Sequence, residues 1–300
     1  MIPVLVVGSI NLDLVFRTEQ LPVLGQTLLG GEFSTHPGGK GANQAAAVGA
    51  LGGQVEFVGC IGDDPEGCVL AEALQRSRVG TERLQVLQGQ RSGTACVIVA
   101  EDGANMIVVA PGANTGVAPA QVTAAIGHFR PKVTLCQLEV PMATVLAAAQ
   151  SDCFILNPAP AQALPSEIFP RCFALTPNET ELQGLTGIAP TDQATCATAA
   201  HVLLDFGVKN VIVTLGAKGC VWVSDAGSQH FPAFEVPTVD TVAAGDSFNG
   251  ALAHFLASGR ELANAIPLAN AVAALSTTKR GAVESMPSLD ELRGLAGDLL

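Results

Sequence analysis

The chain has 300 residues, 48% of them hydrophobic and 14% charged, and a formal net charge of −12. The apolar share excludes a disordered chain and is ample for a large core. With 27 acidic residues against 15 basic ones, a general affinity for nucleic acid or anionic membranes is excluded, so an anionic ligand would need local positive potential.

At about 150 residues per domain the length allows two domains, although α/β folds of this size are often one. The opening Met1–Gly8 lacks a basic segment, has too short an apolar run for a secretory leader, and reads as a buried first strand. No stretch reaches the ~18 uninterrupted apolar residues that span a bilayer. The eight cysteines (60, 68, 96, 136, 153, 172, 196 and 220) never take a CxxC spacing, and most sit in apolar strand-like runs, where Cys behaves as a small hydrophobe. The histidines show no HExxH spacing. A soluble, reduced, cytoplasmic protein is expected, without a structural zinc site or a disulfide framework.

Along the chain, Val4–Val7, Val55–Val58, Thr134–Gln137, Cys153–Leu156, Phe173–Leu175 and Val211–Thr214 are near-continuous apolar runs, as in parallel strands covered on both faces. Helical stretches lie at Gly41–Leu51, Glu66–Arg78, Val140–Ala149, Asn178–Leu185 and Asp192–Phe206. Thr191 is placed to cap the last of these, with Gly207 marking its end. Ser288 and Glu291 form a capping-box pattern for a final helix. The alternation predicts an α/β fold: a doubly wound, mostly parallel sheet flanked by helices. Two segments interrupt it. Asp13–Pro37 has no helical pattern, and Ser92–Val109 reads as strands Ala95–Ala100 and Met106–Val109 around the turn Glu101–Ala104. Together they predict a small antiparallel β sheet, either a lid over a site or an ordinary peripheral hairpin.

Four motifs carry potential chemistry. Gly38-Gly39-Lys40-Gly41-Ala42-Asn43 opens a helix with free backbone amides and little side-chain bulk. It is no dinucleotide fingerprint, because Gln44 stands where the third glycine should be, and a glycine turn before a helix is often only a turn. In Asp240-Thr241-Val242-Ala243-Ala244-Gly245-Asp246 small residues run into an amphipathic helix ending near Ser258-Gly259. The amides of Ala244, Gly245 and Asp246 at that positive helix end would form an anion hole, with Asp246 beside it. An Asp in a first helical turn is equally an ordinary dipole complement. In Thr176–Glu181, Thr176 and Glu179 fit a capping box with Pro177 at the first helical position. That leaves Asn178 and Glu181, three apart on one side of the turn, to face a phosphate–metal site. Thr214-Leu215-Gly216-Ala217-Lys218-Gly219 follows a strand end, where ligands bind in open α/β sheets, or is a simple hairpin into Cys220–Val223. Of five lysines, Lys40, Lys218 and Lys279 lie in Gly-containing motifs, a local source of positive potential.

Taken together the motifs resemble the ribokinase-like (PfkB) family of carbohydrate kinases, over nearly the whole chain from Gly8-Ser9-Ile10-Asn11-Leu12-Asp13 to Lys279-Arg280-Gly281-Ala282. The Gly38 loop matches one family signature and the Asp240–Gly250 run the other, in the right order and at near-family spacing. Pro111–Asn114, Asn157–Pro160 and Thr176–Glu181 look like further family segments. The resemblance implies one α/β kinase domain over 1–300, with lid segments at about 13–37 and 92–110. It implies D-ribose as acceptor and ATP as donor, with Mg²⁺ and K⁺. Sugar contacts fall on Asn11, Asp13, Gly39, Lys40, Gly41, Asn43, Glu139 and Asp246. Asp246 takes the position of the catalytic base, with Ala243, Ala244 and Gly245 as the anion hole. Nucleotide contacts fall on Asn178, Thr214, Leu215, Gly216, Ala217, Lys218, Gly219, Gly245 and Asn270. Glu181 completes an Asn-x-x-Glu pattern associated with Mg²⁺ and phosphate. Asp240, Val242, Ser276, Lys279, Gly281 and Ser285 match a monovalent-cation site built largely of carbonyls. Such lids pair between subunits, so a homodimer is expected. Deoxyribose, a ketohexose or a nucleoside as acceptor remains open, as does a non-catalytic sugar or nucleotide sensor on this fold. A nicotinamide dehydrogenase is the more distant alternative.

Overall fold

The structure, a computed structural model, describes residues 3–29 and 31–300; Met1 and Ile2 of the expected first strand, and Gly30 of the first lid segment, lie outside them. Strand β1 (Pro3–Val7) leads into β2 (Asn11–Thr18) and β3 (Glu32–Gly38). Helix α1 (Lys40–Ala50), β4 (Gln54–Gly62), α2 (Pro65–Arg76) and β5 (Leu84–Leu87) follow. A hairpin of β6 (Gly93–Ala100) and β7 (Asn105–Ala110) precedes α3 (Pro119–Phe129), β8 (Val133–Cys136), α4 (Met142–Ala148), β9 (Phe154–Leu156) and β10 (Cys172–Leu175). Then come α5 (Glu179–Thr186), α6 (Gln193–Asp205), β11 (Val211–Thr214), β12 (Cys220–Ser224) and β13 (Gly227–Phe231), and last α7 (Ala244–Ala257), α8 (Leu262–Ser276) and α9 (Leu289–Ala296).

Nine strands form the main sheet, in the order β13-β12-β11-β10-β9-β8-β1-β4-β5. All neighbours pair in parallel except β11–β12 and β12–β13 at one edge. Alternate side chains of β1 enter opposite apolar layers. Val4 and Val6 join the layer containing Phe57, Phe248 and Ile266, whereas Leu5 and Val7 join the one containing Val58, Phe154 and Leu203. Burial of both faces is why these strands read as unbroken apolar runs. Strand order reverses at β1, which has β4 on one side and β8 on the other. A crevice opens at such a reversal, beyond the carboxyl ends of the strands, and the segments leaving β1 and β8 there carry Asn11 and Glu139.

The second sheet has the order β3-β2-β6-β7. Its outer pairs, β2–β3 and β6–β7, are antiparallel as expected, while β2 and β6 pair in parallel at its centre. Both central strands leave the core side by side, Asn11 opposite Gly93. Phe16 and Phe33, opposite each other in the ladder, have ring centroids 4.9 Å apart. Strand β7 is exposed throughout and presents Met106, Ile107, Val108 and Val109.

Helix starts depart from expectation in two places. The cap of α6 is Asp192, not Thr191: its carboxylate accepts from Thr195 N–H at 2.8 Å, and Thr195 Oγ1 accepts from the Asp192 amide. A charged acceptor at a positive helix end is the stronger cap. The box at α5 is Asn178–Glu181 rather than Thr176–Glu179. Thr176 still belongs to the sheet, its N–H bonded to the Leu156 carbonyl at 3.0 Å, so the helix starts two residues later. The Ser288–Glu291 box forms as predicted, and Gly207, with φ of 101°, follows the end of α6. Among the described residues no helix is long and apolar enough to cross a membrane, and no group of three His, Cys, Asp or Glu side chains is placed to hold a metal.

Candidate active site

The first wall of the site is the junction of β1 with α1. Gly41 lies against Gly8 so closely that a Cβ would come within 2.7 Å of the Gly8 backbone, and Gly39 adopts φ of 88° against Ile10 and Asn11. These contacts bring Lys40 and Asn43 beside Asn11 and Asp13. Glu139, after β8, accepts from Ser9 Oγ at 2.5 Å and from the Lys40 amide at 3.3 Å. Burial, then the carboxylates of Glu139, Asp246 and Glu284, push the Asp13 pKa up to about 7 against the pull of Lys40. Burial disfavours the Lys40 ammonium, but Asp246, Glu139, Glu181 and Asp13 together outweigh it and hold its pKa above the ordinary lysine value. Six of the expected sugar-site groups therefore share one electrostatic neighbourhood: Asp13, Lys40, Glu139 and Asp246 by charge, Asn11 and Asn43 by position.

The second wall is the start of α7. Ala243 takes the left-handed conformation, φ 59°, a backbone state that costs a non-glycine residue about 1 kcal/mol or more. No side chain caps this helix, and the Ala244 N–H reaches the Thr241 carbonyl at 3.3 Å. Ala244 N–H is thus turned toward its own loop, whereas Gly245 and Asp246 keep N–H groups without an intrahelical acceptor. A Cβ on Gly245 would meet nothing within 4 Å, so no other part of the chain packs on the Gly245 Cα. Asp246, 8% exposed, accepts from Asn43 Nδ2 at 2.9 Å and from Gln44 Nε2 at 3.0 Å.

The third wall lies at the ends of β10 and β11. Asn178 bridges to Thr214, and the Thr214 N–H bonds the Pro177 carbonyl at 2.9 Å. The Thr214–Gly219 turn forms the hairpin link between β11 and β12 and lies beside Asn178, with Gly216, Ala217 and Lys218 exposed. The Asn178–Glu181 capping box explains the side-chain contact between those two residues, so the helix start alone accounts for part of what a phosphate site was expected to explain. Burial raises the Glu181 pKa against the Asn178 amide and Lys40, with Asp246 adding to the rise. Asn270 stands apart in α8, its Nδ2 held by the Phe231 and Pro232 carbonyls at 3.2 and 3.3 Å.

Two of the expected cation positions, Val242 and Gly281, are tied by the carboxylate of a third. Asp240 accepts from the amides of Val242 at 3.1 Å and Gly281 at 3.2 Å. The hydroxyls of the buried Ser276 and Ser285 donate to Ala273 and Ala282, each within its own turn. Lys279 pairs with Glu291 at 2.5 Å, so its charge is turned away from the anion hole; of the three motif lysines only Lys40 sits among the site carboxylates. Two contacts run from the small sheet to these loops, the Arg17–Asp240 ion pair at 3.9 Å and the His36 ring beside the Glu284 carboxylate at 3.8 Å.

Residues that the motif reading passed over complete the site. Gln44, noted only as a missing glycine, touches Asp246. Asn114 binds the Ile10 backbone and the Asn11 side chain. Their partners lie about a hundred or more positions away, beyond any local pattern; the amide-rich Asn43-Gln44 start of a helix buried along most of its length is the signal that was available. A buried carboxylate beside unfilled amides, with side-chain amides and carboxylates opposite, suits transfer of an anionic group to an alcohol.

Residues 1–289 match the family described as pfkB family carbohydrate kinase. The chain is 39% identical over 293 residues to the ribokinase of Haemophilus influenzae, covering 95% of each. The crystal structure of ribokinase from Thermotoga maritima superposes with a TM-score of 0.90 at 36% identity, covering 99% of both chains. Arabidopsis thaliana ribokinase, solved with ribose and ATP, gives 0.88 at 30% identity over 98% of this chain and 99% of that one. The chain belongs to the pfkB family of carbohydrate kinases.

Proposed function

We propose that this protein transfers the γ-phosphoryl group of ATP to the 5-hydroxyl of D-ribose, giving ribose 5-phosphate. The observation that carries the reading is the Asp246 carboxylate, held by Asn43 and Gln44 beside the free amides of Gly245 and of its own residue. Phosphoryl transfer has a loose transition state, so catalysis is mostly positioning and charge stabilisation. Asp246 accepts the proton of the 5-hydroxyl as the new O–P bond forms. The turn at Ala243, Ala244 and Gly245 receives the negative charge of the transferred group, and Lys40 adds a cation. Asn11, Asp13, Asn43 and Glu139 bind the remaining hydroxyls, with Gly39 and Gly41 giving close backbone approach.

Asn178 and the Thr214–Gly219 turn receive the nucleotide, and Asn270 retains its carbonyl oxygen for the same ligand. Mg²⁺ fits a site with one carboxylate, since it is commonly bound through one or two carboxylates plus substrate phosphates and water. Glu181, with one oxygen outside its capping bond, is the residue to hold it, and the ion neutralises phosphate charge when bound. K⁺ fits the loops tied by Asp240, through carbonyls of Asp240, Val242, Ser276, Lys279, Gly281 and Ser285; it adds positive field beside the anion hole. The chain works as one domain over 1–300 with the small sheet as its lid. The exposed apolar residues of β7 and the Phe16–Phe33 pair support pairing of lids in a homodimer. The eight free cysteines suit a reducing cytoplasm.

The test is kcat/KM with ATP for ribose, deoxyribose, a ketohexose and a nucleoside, with and without K⁺. Ribose is expected to rank first. Another acceptor ranking well above it overturns the substrate, and sugar and nucleotide binding without ADP release overturns the kinase reading.

A further inference from the structure

Behind the Asp246 carboxylate runs a circuit of buried side chains that the proposed reaction does not by itself require. Gln137 Nε2 donates to Gln44 Oε1 at 2.5 Å, and both residues are 0% exposed. Gln44 Nε2 donates to Asp246 Oδ1 and to Asn157 Oδ1, each at 3.0 Å. Asn157 Nδ2 donates to the Thr176 carbonyl at 3.2 Å. Thr176 Oγ1 donates to Asn249 Oδ1 at 2.6 Å, and Asn249 Nδ2 donates to the Gly245 carbonyl at 2.8 Å. The path leaves the side chain of Asp246 and returns to the backbone of the residue before it.

The carboxylate sets the directions at Gln44, Gln137 and Asn157, and the Gly245 carbonyl, which can only accept, sets those at Asn249 and Thr176. An ionised Asp246 only accepts, so Gln44 must present its NH₂ to it. Both Gln44 protons are then spent, and its oxygen must accept from Gln137. Asn157 must offer oxygen to Gln44, hence NH₂ to Thr176. The chain of donors ends on Gly245, the residue whose free amide borders the anion hole. Close approach of α1 and α7 makes the reach possible: a Cβ on Gly250 would lie 2.4 Å from the Gln44 carbonyl. The donor atoms of Gln44, Asn157, Thr176 and Asn249 all find acceptors, and buried networks matched in this way hold one geometry; Gln137 Oε1, at the far end, is buried without a partner.

We propose that Gln44 is a positioning residue for phosphoryl transfer, and that Asn157, Thr176 and Asn249 extend its hold from the Asp246 carboxylate to the Gly245 backbone. Base and anion hole then move as one body, which keeps the attacking oxygen and the transferred group in line. Misplacement by ~1 Å costs ~10² in rate for such reactions. The inference rests on Asp246 being the base.

The experiment compares Gln44→Met, Gln44→Glu, Thr176→Val, Thr176→Ser and Asp246→Asn by kcat, both KM values, pH profile and Tm. Thr176→Val, which loses the short bond to Asn249 and the longer hydroxyl contact with the Leu156 carbonyl, is expected to lower kcat ~10-fold, equivalent to about 1.4 kcal/mol, with both KM values nearly unchanged. Thr176→Ser restores it. Gln44→Met lowers kcat further. Gln44→Glu sets a second carboxylate against Asp246, so that the two share a proton and the acid limb of kcat moves to higher pH. A merely structural role would lower Tm without separating Val from Ser at position 176 and without moving that limb. If Gln44→Met does not fold, the Thr176 pair decides. Inactive Asp246→Asn together with normal turnover in Gln44→Met or Thr176→Val overturns the circuit and leaves the base; active Asp246→Asn overturns the base and the circuit with it.

Discussion

Asn43 Nδ2 lies 2.9 Å from Asp246 Oδ2, joining the first turns of two helices 203 positions apart in the chain. The same Asn43 keeps a buried Oδ1 without a partner. In Asp246→Asn, Asn43 can turn over and accept from the new amide, so the fold should lose only about 1 kcal/mol. Turnover should fall ~10² or more, because the acceptor of the hydroxyl proton is gone. Asp246→Ala should be as inactive and less stable, with the Asn43 and Gln44 donors left unmatched. Steady-state rates and thermal melts check both, and near-normal turnover in either variant removes Asp246 from the role of base.

Asp13 titrates near neutrality, at about 7, because it is buried among carboxylates. The folded-state pKa is raised, so ionising Asp13 costs stability above pH 7. That cost fades as pH falls through 7 and is gone below the unfolded value near 4. Sugar binding needs the opposite state, since a hydroxyl donates to the carboxylate. KM for the sugar should rise as pH drops from 8 to 6, approaching about tenfold per unit below the pKa. Asp13→Asn should bind weakly at every pH with a flat profile. A wild-type KM that does not change over this range counts against the sugar contact.

Asn114, buried to 1%, accepts from Ile10 N–H at 2.9 Å and donates to Ile10 O at 3.1 Å and Asn11 Oδ1 at 2.8 Å. It therefore sets Asn11 with NH₂ free for a ligand. Asn114→Ala strands two buried backbone groups and should cost about 3 kcal/mol. Asn114→Asp can accept from Ile10 but cannot donate to Asn11, whose amide should turn over. Its KM for ribose should rise ~10-fold with kcat little changed. Equal KM values in Asn114→Asp and wild type would mean that Asn11 is oriented by something else.

Arg17 on β2 and Asp240 in the loop before α7 are 3.9 Å apart and partly exposed. Such a pair contributes about 1 kcal/mol at most, and salt screens it. Arg17→Ala should raise the ribose KM no more than about fivefold. It should increase ATP hydrolysis in the absence of sugar, because a lid held less firmly excludes water less well. Hydrolysis unchanged at low ionic strength shows that the pair does not hold the lid.

The α/β core was readable because parallel strands buried on both faces leave unbroken apolar runs, as in Val4–Val7 and Val211–Thr214. The glycine loop and the Ala243–Asp246 start were readable because close backbone approach and open amides demand small residues at fixed offsets. The cap at α5 was misplaced because Thr176 was already committed to Leu156 and Asn249, partners 20 and 73 positions away. Lys279 looked like a phosphate cation until Glu291 was found beside it. Gln44 was legible only as a polar residue in apolar company and Asn114 only as the end of a family segment; what they hold is set by the fold.

The parallel pairing of β2 with β6 gives the proposed lid one natural axis for a swing, the line through Asn11 and Gly93 where both strands leave the core. At ~3.3 Å per residue Asp13 sits about 7 Å from that line and Thr18 about 23 Å. A swing of ~10° would shift Asp13 by only about 1 Å while the tip travels about 4 Å. In such a swing Asn11 and Asp13, the proposed sugar contacts, would ride close to the axis and stay nearly in place, while the far end would travel furthest. Changes near Thr18 should then alter how fast sugar enters and leaves, whereas changes near Asn11 should alter which sugar is held.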